Sequence, residues 1–161
     1  MEALLKNPGW QSGLLVTLRM LIGWHLLYEG LVKLLNPQWS SYAFLEGSQG
    51  LFAGIADWIT SSPGVLSVVD SLNGWGLVVI GLALILGLFT RPAAFAGAAL
   101  VGLYYLFNPP LIGMAATVPM EGSYLIVNKN LIEAVTLLLI GVSPGARLFG
   151  IDMLFENRKD R

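Results

Sequence analysis

The sequence consists of long apolar segments separated by short polar breaks, and four of these segments are long enough to span a membrane. They cover about residues 13–35, 74–91, 92–108 and 124–142. An α-helix rises about 1.5 Å per residue, so about 20 apolar residues cross the roughly 30 Å hydrocarbon core of a bilayer. The pattern therefore predicts an all-α protein, a bundle of four transmembrane helices.

Prolines define the ends of these helices. Asn36-Pro37 ends the first helix, because proline has no amide hydrogen and disfavours the α conformation in the preceding residue. Pro92 suits the first turn of the third helix, which gives a tight hairpin after the second. Ser61-Ser62-Pro63-Gly64 breaks the chain before a short helical run, Val65–Leu72, that leads into the second helix.

Two amphipathic stretches lie outside the four segments. The first precedes Ser61, and we expect it to form an interfacial helix on the outer membrane surface or a cap on the bundle. The second begins at Ser143 and predicts an amphipathic C-terminal helix on the cytoplasmic surface. The apolar stripe of the first stretch consists of Leu51, Phe52, Ile55, Trp58 and Ile59.

Composition supports a membrane protein and excludes several kinds of chemistry. Of the 161 residues, 55% are hydrophobic and 12% charged, so we interpret residues 1–161 as one integral membrane domain. The absence of cysteine excludes disulfides, thiol redox chemistry, iron–sulfur ligation and thiolate zinc sites. Because the sequence contains a single histidine, we predict no metal site. The net charge of −1 does not indicate nucleic-acid binding.

The distribution of basic residues predicts the topology. They cluster at the N-terminus, in the connection between the second and third helices and at the C-terminus, whereas residues 36–73 contain none. The positive-inside rule then places both termini in the cytoplasm. The residues concerned are Lys6, Arg91, Arg147, Arg158, Lys159 and Arg161.

The first predicted helix contains a row of ionisable residues, Arg19, His25, Glu29 and Lys33. Successive residues of a helix turn by about 100°, so the four share one face. Each charge at the centre of a bilayer costs about 2.5–3.5 kcal/mol on insertion scales, and such residues mark functional sites by default. Pairing that only neutralises charge and fixes helix register is the alternative interpretation.

The fourth predicted helix carries a matching set, Asn128, Lys129 and Glu133. In the antiparallel topology these residues lie at about the same depth as Glu29 and Lys33. Cross-helix pairs of Glu29 with Lys129 and of Lys33 with Glu133 are possible if the two helices are neighbours.

These residues suit a quinone site. Quinone reduction needs hydrogen-bond donors and a proton path beside an apolar slot, and histidine and glutamate are suitable proton carriers near neutral pH. Arg19 is suited to binding a carbonyl or anionic oxygen, or alternatively to pairing with helix-end carbonyls. We therefore predict His25, Glu29 and Glu133 as catalytic. The predicted quinone-binding residues are Arg19, Lys33, Asn128 and Lys129.

Short motifs in three helices resemble the DoxX/DoxD family of bacterial and archaeal membrane proteins. The resemblance covers nearly the whole chain and is carried by the order and spacing of the motifs. They are Arg19, Gly23, Glu29-Gly30 and Lys33 in the first helix, Gly81-Leu82 and Gly87–Arg91 at the end of the second, and Asn128–Ala134 in the fourth.

The resemblance implies a four-helix bundle in the cytoplasmic membrane and a quinone-linked role. Some members of that family are subunits of thiosulfate:quinone oxidoreductases, and others associate with redox or detoxification partners. We therefore expect a membrane oxidoreductase subunit that passes electrons from a small reductant, with thiosulfate as one candidate, to quinone. Protein partners in a membrane complex, or further copies of the chain, are also expected.

A non-catalytic accessory subunit is the alternative function. Its contact surfaces would be the interfacial helix and the small residues Ala94, Ala98 and Gly102, which recur at four-residue spacing. The same spacing also suits packing within the chain. A transporter is a third option, although four helices with no visible inverted repeat provide little machinery for alternating access.

Overall fold

A computed structural model describes residues 8–49, 51–110 and 125–156, with the side chains of Pro8 and of residues 154–156 left out. Most of the connection between the third and fourth predicted helices lies outside these ranges, as do the basic residues Lys6, Arg158, Lys159 and Arg161. The described chain is helical, in agreement with the predicted fold class. Its elements are α1 (Pro8–Leu35), α2 (Tyr42–Glu46), α3 (Ala53–Thr60), α4 (Pro63–Leu86), α5 (Thr90–Phe107), α6 (Lys129–Val142), a 3₁₀ turn (Pro144–Arg147) and α7 (Ile151–Glu156).

Helices α1 and α4 approach each other closely along a seam of glycines. A Cβ atom added to Gly81 would lie 2.5 Å from the backbone nitrogen of Leu27 and 2.6 Å from the carbonyl oxygen of Gly23. A Cβ added to Gly30 would lie 2.8 Å from the backbone nitrogen of Val78. Because only glycine leaves room for this backbone contact, the seam fixes which face of α1 is turned away from α4.

Helices α5 and α6 pack together through small residues. Ala94 is fully buried and Ala98 nearly so, while a Cβ on Gly97 would contact Ile80 and Leu137. The small-residue spacing therefore serves packing within the chain. Gly102 lies beyond this contact, since a Cβ there would meet no atom within 4 Å.

Helix α4 is longer at its start than the sequence pattern predicted. Ser62 is extended and Pro63 occupies the first turn, where its missing amide hydrogen costs nothing, so the helix begins at Pro63 instead of near residue 74. The predicted short run Val65–Leu72 is the first part of α4. The helix ends at Leu86, five residues before the predicted end, because Gly87 adopts a left-handed conformation with φ of 62°.

Helices α2 and α3 form a cap over one end of the bundle, with a small core of their own. Ala56, Ile59 and Leu45 are buried there, and the ring of Phe52 lies 5.4 Å from that of Phe107 in α5. The predicted amphipathic helix therefore exists. It packs on the bundle through one face and leaves the other face exposed.

Two described helices are long and apolar enough to cross a membrane, Gly9–Leu35 and Pro63–Leu86. Large apolar side chains are exposed along them, for example Leu14, Trp24 and Val79, as expected for surfaces in contact with lipid. The predicted third and fourth spans correspond to α5 and α6. Helix α6 begins at Lys129 instead of near residue 124, and its 14 residues rise about 21 Å.

Candidate functional site

A cavity of about 720 Å³ lies between the α2–α3 cap and the helices of the bundle. Its wall is mostly apolar, with aromatic rings on the side of the cap. Pockets of this size and character are typical of sites for small organic ligands. The polar lining residues include His25, Glu29, Lys33, Asn73, Tyr104, Lys129, Asn130 and Glu133, and the aromatic ones are Trp39, Phe44, Phe52 and Phe107 together with Tyr104.

One ion pair joins α1 to α6 at this cavity. His25 Nε2 lies 3.1 Å from Glu133 Oε1, and the side chains are 35% and 15% exposed. Helix α1 packs mainly on α4, and α6 packs mainly on α5, so this contact bridges two helices that otherwise touch little. The contact places an imidazole and a carboxylate side by side at the edge of an apolar cavity.

Lys33 is held by three groups on the same side of the cavity. Its Nζ atom lies 3.6 Å from Glu29 Oε2, one helical turn earlier in α1. The same atom lies 5.4 Å from the ring centroids of both Trp39 and Tyr104, within the range of cation–π attraction. The lysine is therefore fixed by a carboxylate and two aromatic rings.

The structure brings five residues of the two predicted rows to one cavity but pairs them differently. They are His25, Glu29, Lys33, Lys129 and Glu133. The considered pairs, Glu29 with Lys129 and Lys33 with Glu133, are not formed, and His25 contacts Glu133 instead of Glu29. The reason is that Glu29 finds Lys33 on its own helix at the i, i+4 position. Glu133 is then left to the imidazole.

Asn73 and Tyr104 are cavity residues that the sequence analysis did not select. The hydroxyl of Tyr104 donates a hydrogen bond to Asn73 Oδ1 and so links α5 to α4. The Tyr104 ring also packs edge to face against Phe44 of the cap, with centroids 5.9 Å apart. The available signal was a polar residue, Asn73, directly between the apolar run Val65–Leu72 and the predicted second span.

The remaining predicted residues of α6 have separate positions. Lys129 lines the cavity. Asn128 does not line it and instead caps the helix, since its Oδ1 accepts a hydrogen bond from the backbone nitrogen of Leu131 at 3.0 Å. Asparagine is a preferred residue at this position because its side chain satisfies an otherwise unpaired backbone amide. Asn130, which the sequence analysis left out of the site, lines the cavity.

Arg19 lies away from the cavity, in the N-terminal half of α1. It is 1% exposed and donates hydrogen bonds to the carbonyl oxygens of Ala146, at 2.7 Å, and Phe149, at 3.2 Å. The structure thus places Arg19 against backbone carbonyls of the C-terminal segment. This is the alternative role considered from the sequence.

The C-terminal segment is attached near Arg19 by a second polar contact. The carboxylate of Asp152 accepts hydrogen bonds from the backbone nitrogens of Phe89, at 2.7 Å, and Thr90, at 2.8 Å, at the start of α5. A Cβ on Gly150 would lie 2.8 Å from the Cα atom of Gly87, so the two backbones touch. This latch, formed by Arg19 and Asp152, closes the end of the bundle opposite the cavity.

The cavity combines an apolar interior with ionisable and hydrogen-bonding side chains on its polar side. That combination suits a ligand with an apolar ring and polar oxygen atoms. Within residues 8–49, 51–110 and 125–156, no cluster of three or more His, Asp or Glu residues could hold a metal ion.

Comparison with known proteins identifies one family. The model of the DoxX family matches residues 14–108, which include His25, Glu29 and Lys33 and end before α6. No curated protein and no solved structure matches the chain.

Proposed function

The chain belongs to the DoxX family, and from this premise we propose that it is a membrane oxidoreductase subunit that passes electrons from a small reductant to quinone. The family is a membrane protein family often linked to oxidoreductase-related functions. The observation that carries the proposal is the cavity with the His25–Glu133 pair on its wall.

The residues of the cavity fit a quinone. A quinone has a flat apolar ring and two carbonyl oxygens, and it accepts two electrons and two protons when it is reduced. Aromatic side chains on the cap side provide surfaces on which a ring can stack. His25, Lys33 and Lys129 are candidate hydrogen-bond donors to the carbonyl oxygens.

The proposed roles follow from the contacts. Glu133 orients the imidazole of His25, and the pair holds a proton at His25 Nε2. Lys33 is fixed by Glu29, Trp39 and Tyr104 and places a positive charge beside the cavity. Glu29 thus acts through Lys33, and Glu133 is the carboxylate that acts with His25.

The electrons come from outside the chain, whose sequence contains no cysteine to store them. A small reductant, with thiosulfate as the first candidate, or a partner subunit supplies them. We further propose that α5 and α6 complete a four-helix transmembrane bundle in the cytoplasmic membrane with both termini in the cytoplasm. The cavity then lies at the outer end, where a water-soluble donor has access.

The accessory-subunit alternative loses one of its two contact surfaces. Ala94 and Ala98 are buried within the chain and are not available to a partner. The exposed face of the cap, which includes Leu51 at 92% exposure, is the remaining surface. Co-purification of a stoichiometric partner without bound quinone would favour this alternative.

The experiment measures decylubiquinone binding and thiosulfate-dependent quinone reduction by the purified chain in lipid nanodiscs. The Glu133→Gln change removes the carboxylate but keeps a hydrogen-bond acceptor for His25. We expect it to lower turnover about 100-fold and to change the quinone dissociation constant by less than about threefold, because proton transfer contributes on this scale. Glu46→Gln is the matched control, since Glu46 is an exposed carboxylate outside the cavity lining.

Each result bears on a separate part of the proposal. Absence of saturable quinone binding by the wild-type protein would overturn the quinone site. Equal turnover of the wild-type and Glu133→Gln proteins would overturn the role of the His25–Glu133 pair. Quinone binding without turnover on thiosulfate would exclude thiosulfate as the donor.

A further inference from the structure

Asn73 is a polar side chain that lines the cavity from α4. It lies in α4 between Leu72 and the glycine seam, and the neighbouring cavity-lining residues Val69 and Leu77 of that helix are apolar. Polar side chains inside a membrane-spanning segment are costly unless they are paired or used. Helix packing does not need this amide, because Gly74 next to it makes the close contact with Leu34 of α1.

The hydroxyl of Tyr104 fixes the orientation of this amide. A side-chain amide has one oxygen that accepts hydrogen bonds and one nitrogen that donates two. Because Tyr104 donates to Oδ1, the amide oxygen is used within the protein. Among the described residues, Asn73 Nδ2 has no acceptor, so its two donors remain for a ligand.

Tyr104 is itself held in place from three sides. Its ring packs edge to face on Phe44 at an interplanar angle of 73°, and the ammonium of Lys33 lies over it at 5.4 Å. The hydroxyl contact with Asn73 completes the set. These contacts come from the cap, from α1 and from α4, so the orientation of the Asn73 amide does not depend on one flexible neighbour.

We propose that Asn73 is a ligand-binding residue that donates a hydrogen bond to a carbonyl oxygen of the ligand, and that Tyr104 is its positioning residue. This inference rests on the proposed function and specifies the ligand class further. Asn73 belongs to α4, whereas the His25–Glu133 pair joins α1 to α6. A ring with two carbonyl groups contacts both Asn73 and the His25–Glu133 pair. A ring with a single carbonyl group contacts only one of them.

The test compares two ligands, 2-methyl-1,4-naphthoquinone with two carbonyls and 1-tetralone with one. In nanodiscs we expect Asn73→Leu to weaken binding of the naphthoquinone about tenfold and that of the tetralone less than about twofold, the scale of one lost hydrogen bond. Tyr104→Phe keeps the ring but frees the amide, so it weakens naphthoquinone binding about threefold. The double variant binds no more weakly than Asn73→Leu alone.

Two further variants make the test specific. Asn73→Asp keeps the size of the side chain and an acceptor for Tyr104 but removes the nitrogen donors, so it also weakens naphthoquinone binding. Tyr105→Phe is the matched control, because the Tyr105 hydroxyl donates to the carbonyl oxygen of Ile126, at 2.8 Å, and Tyr105 does not line the cavity. Its affinity for both ligands remains that of the wild type.

The outcomes separate this inference from the proposed function. If the wild-type protein and Tyr105→Phe bind the naphthoquinone and folded Asn73→Leu and Asn73→Asp bind it equally well, Asn73 is not a ligand donor. A lower melting temperature with unchanged affinities would assign Asn73 a structural role and overturn the inference. If the wild-type protein does not bind the naphthoquinone saturably, both the inference and the proposed quinone site fail.

Discussion

Helix α1 carries two polar regions that differ in what surrounds them. In the N-terminal half of the helix, Arg19 is buried and its donors contact the backbone carbonyls of Ala146 and Phe149. Toward the other end, His25 and Lys33 line a cavity and contact side chains of other cavity residues. Both regions contain ionisable residues inside a membrane-length helix, and the second lies beside the described cavity.

The difference shows that an intramembrane charge is not sufficient evidence of a binding site. Arg19 donates hydrogen bonds to two backbone carbonyls of the C-terminal segment, which is a structural role. The His25–Glu133 pair lies at the junction of two helices that otherwise touch little, with a cavity next to it. The surroundings of each charge, rather than its depth in the membrane, distinguish the structural role of the latch from the binding role proposed for the cavity.

The largest effect on stability is expected at the glycine seam. This seam determines the face of α1 on which both polar regions lie. In Gly81→Ala the new Cβ would lie 2.5 Å from the backbone nitrogen of Leu27, so the helices must separate. We expect a loss of about 3 kcal/mol in the free energy of unfolding, the upper range for overpacking. Thermal unfolding in detergent, followed by size-exclusion chromatography, measures it.

Gly76→Ala in the same helix is the control for this prediction. Its Cβ would meet no atom closer than 3.9 Å, so the change should be neutral or slightly stabilising through helix propensity. Equal melting temperatures for the two variants would show that α1 and α4 are not in the close contact described.

The second prediction tests the latch. Arg19→Met removes two charge-assisted hydrogen bonds to carbonyls and should cost about 2–3 kcal/mol, with faster tryptic cleavage in the C-terminal segment. The quinone affinity of the folded fraction should stay within about twofold of the wild type. The control is Arg91→Met, since Arg91 is exposed. A selective loss of quinone affinity in Arg19→Met would move Arg19 into the ligand site.

The smallest effect is expected at the second contact of the latch. Asp152→Ala removes the carboxylate that accepts from Phe89 and Thr90, and loss of such a cap costs about 1 kcal/mol. Asp152→Asn retains an acceptor and should lie close to the wild type. Circular dichroism during thermal unfolding can rank the three proteins, and an Ala variant as stable as the wild type would remove Asp152 from the latch.

The sequence predicts the helices of this protein well because apolar segments, prolines and helical spacing are local signals. The stop at Asn36-Pro37 follows from two residues, and the shared face of His25, Glu29 and Lys33 follows from helix geometry alone. The apolar stripe of the cap helix α3 also follows from local helical spacing. Fold class and the main ionisable side chains of the cavity can therefore be predicted from the sequence.

Contacts between distant parts of the chain cannot be predicted from these local signals. The acceptors of Arg19 lie 127 and 130 residues away, and no local spacing indicates them. The choice of His25 as partner of Glu133 depends on how α1 and α6 are rotated, which the glycine seam and the α5–α6 contact determine. Asn73 and Tyr104 meet only because α4 and α5 are adjacent.

Photolabelling with an azido-quinone in membranes, followed by peptide mass spectrometry, tests the cavity most directly. We predict labels on the cap-side rings Phe44, Phe52 and Phe107, and we predict that unlabelled quinone abolishes them. Labels confined to lipid-facing side chains such as Trp24, or cavity labels that excess unlabelled quinone does not reduce, would contradict the assignment of a quinone site to this cavity.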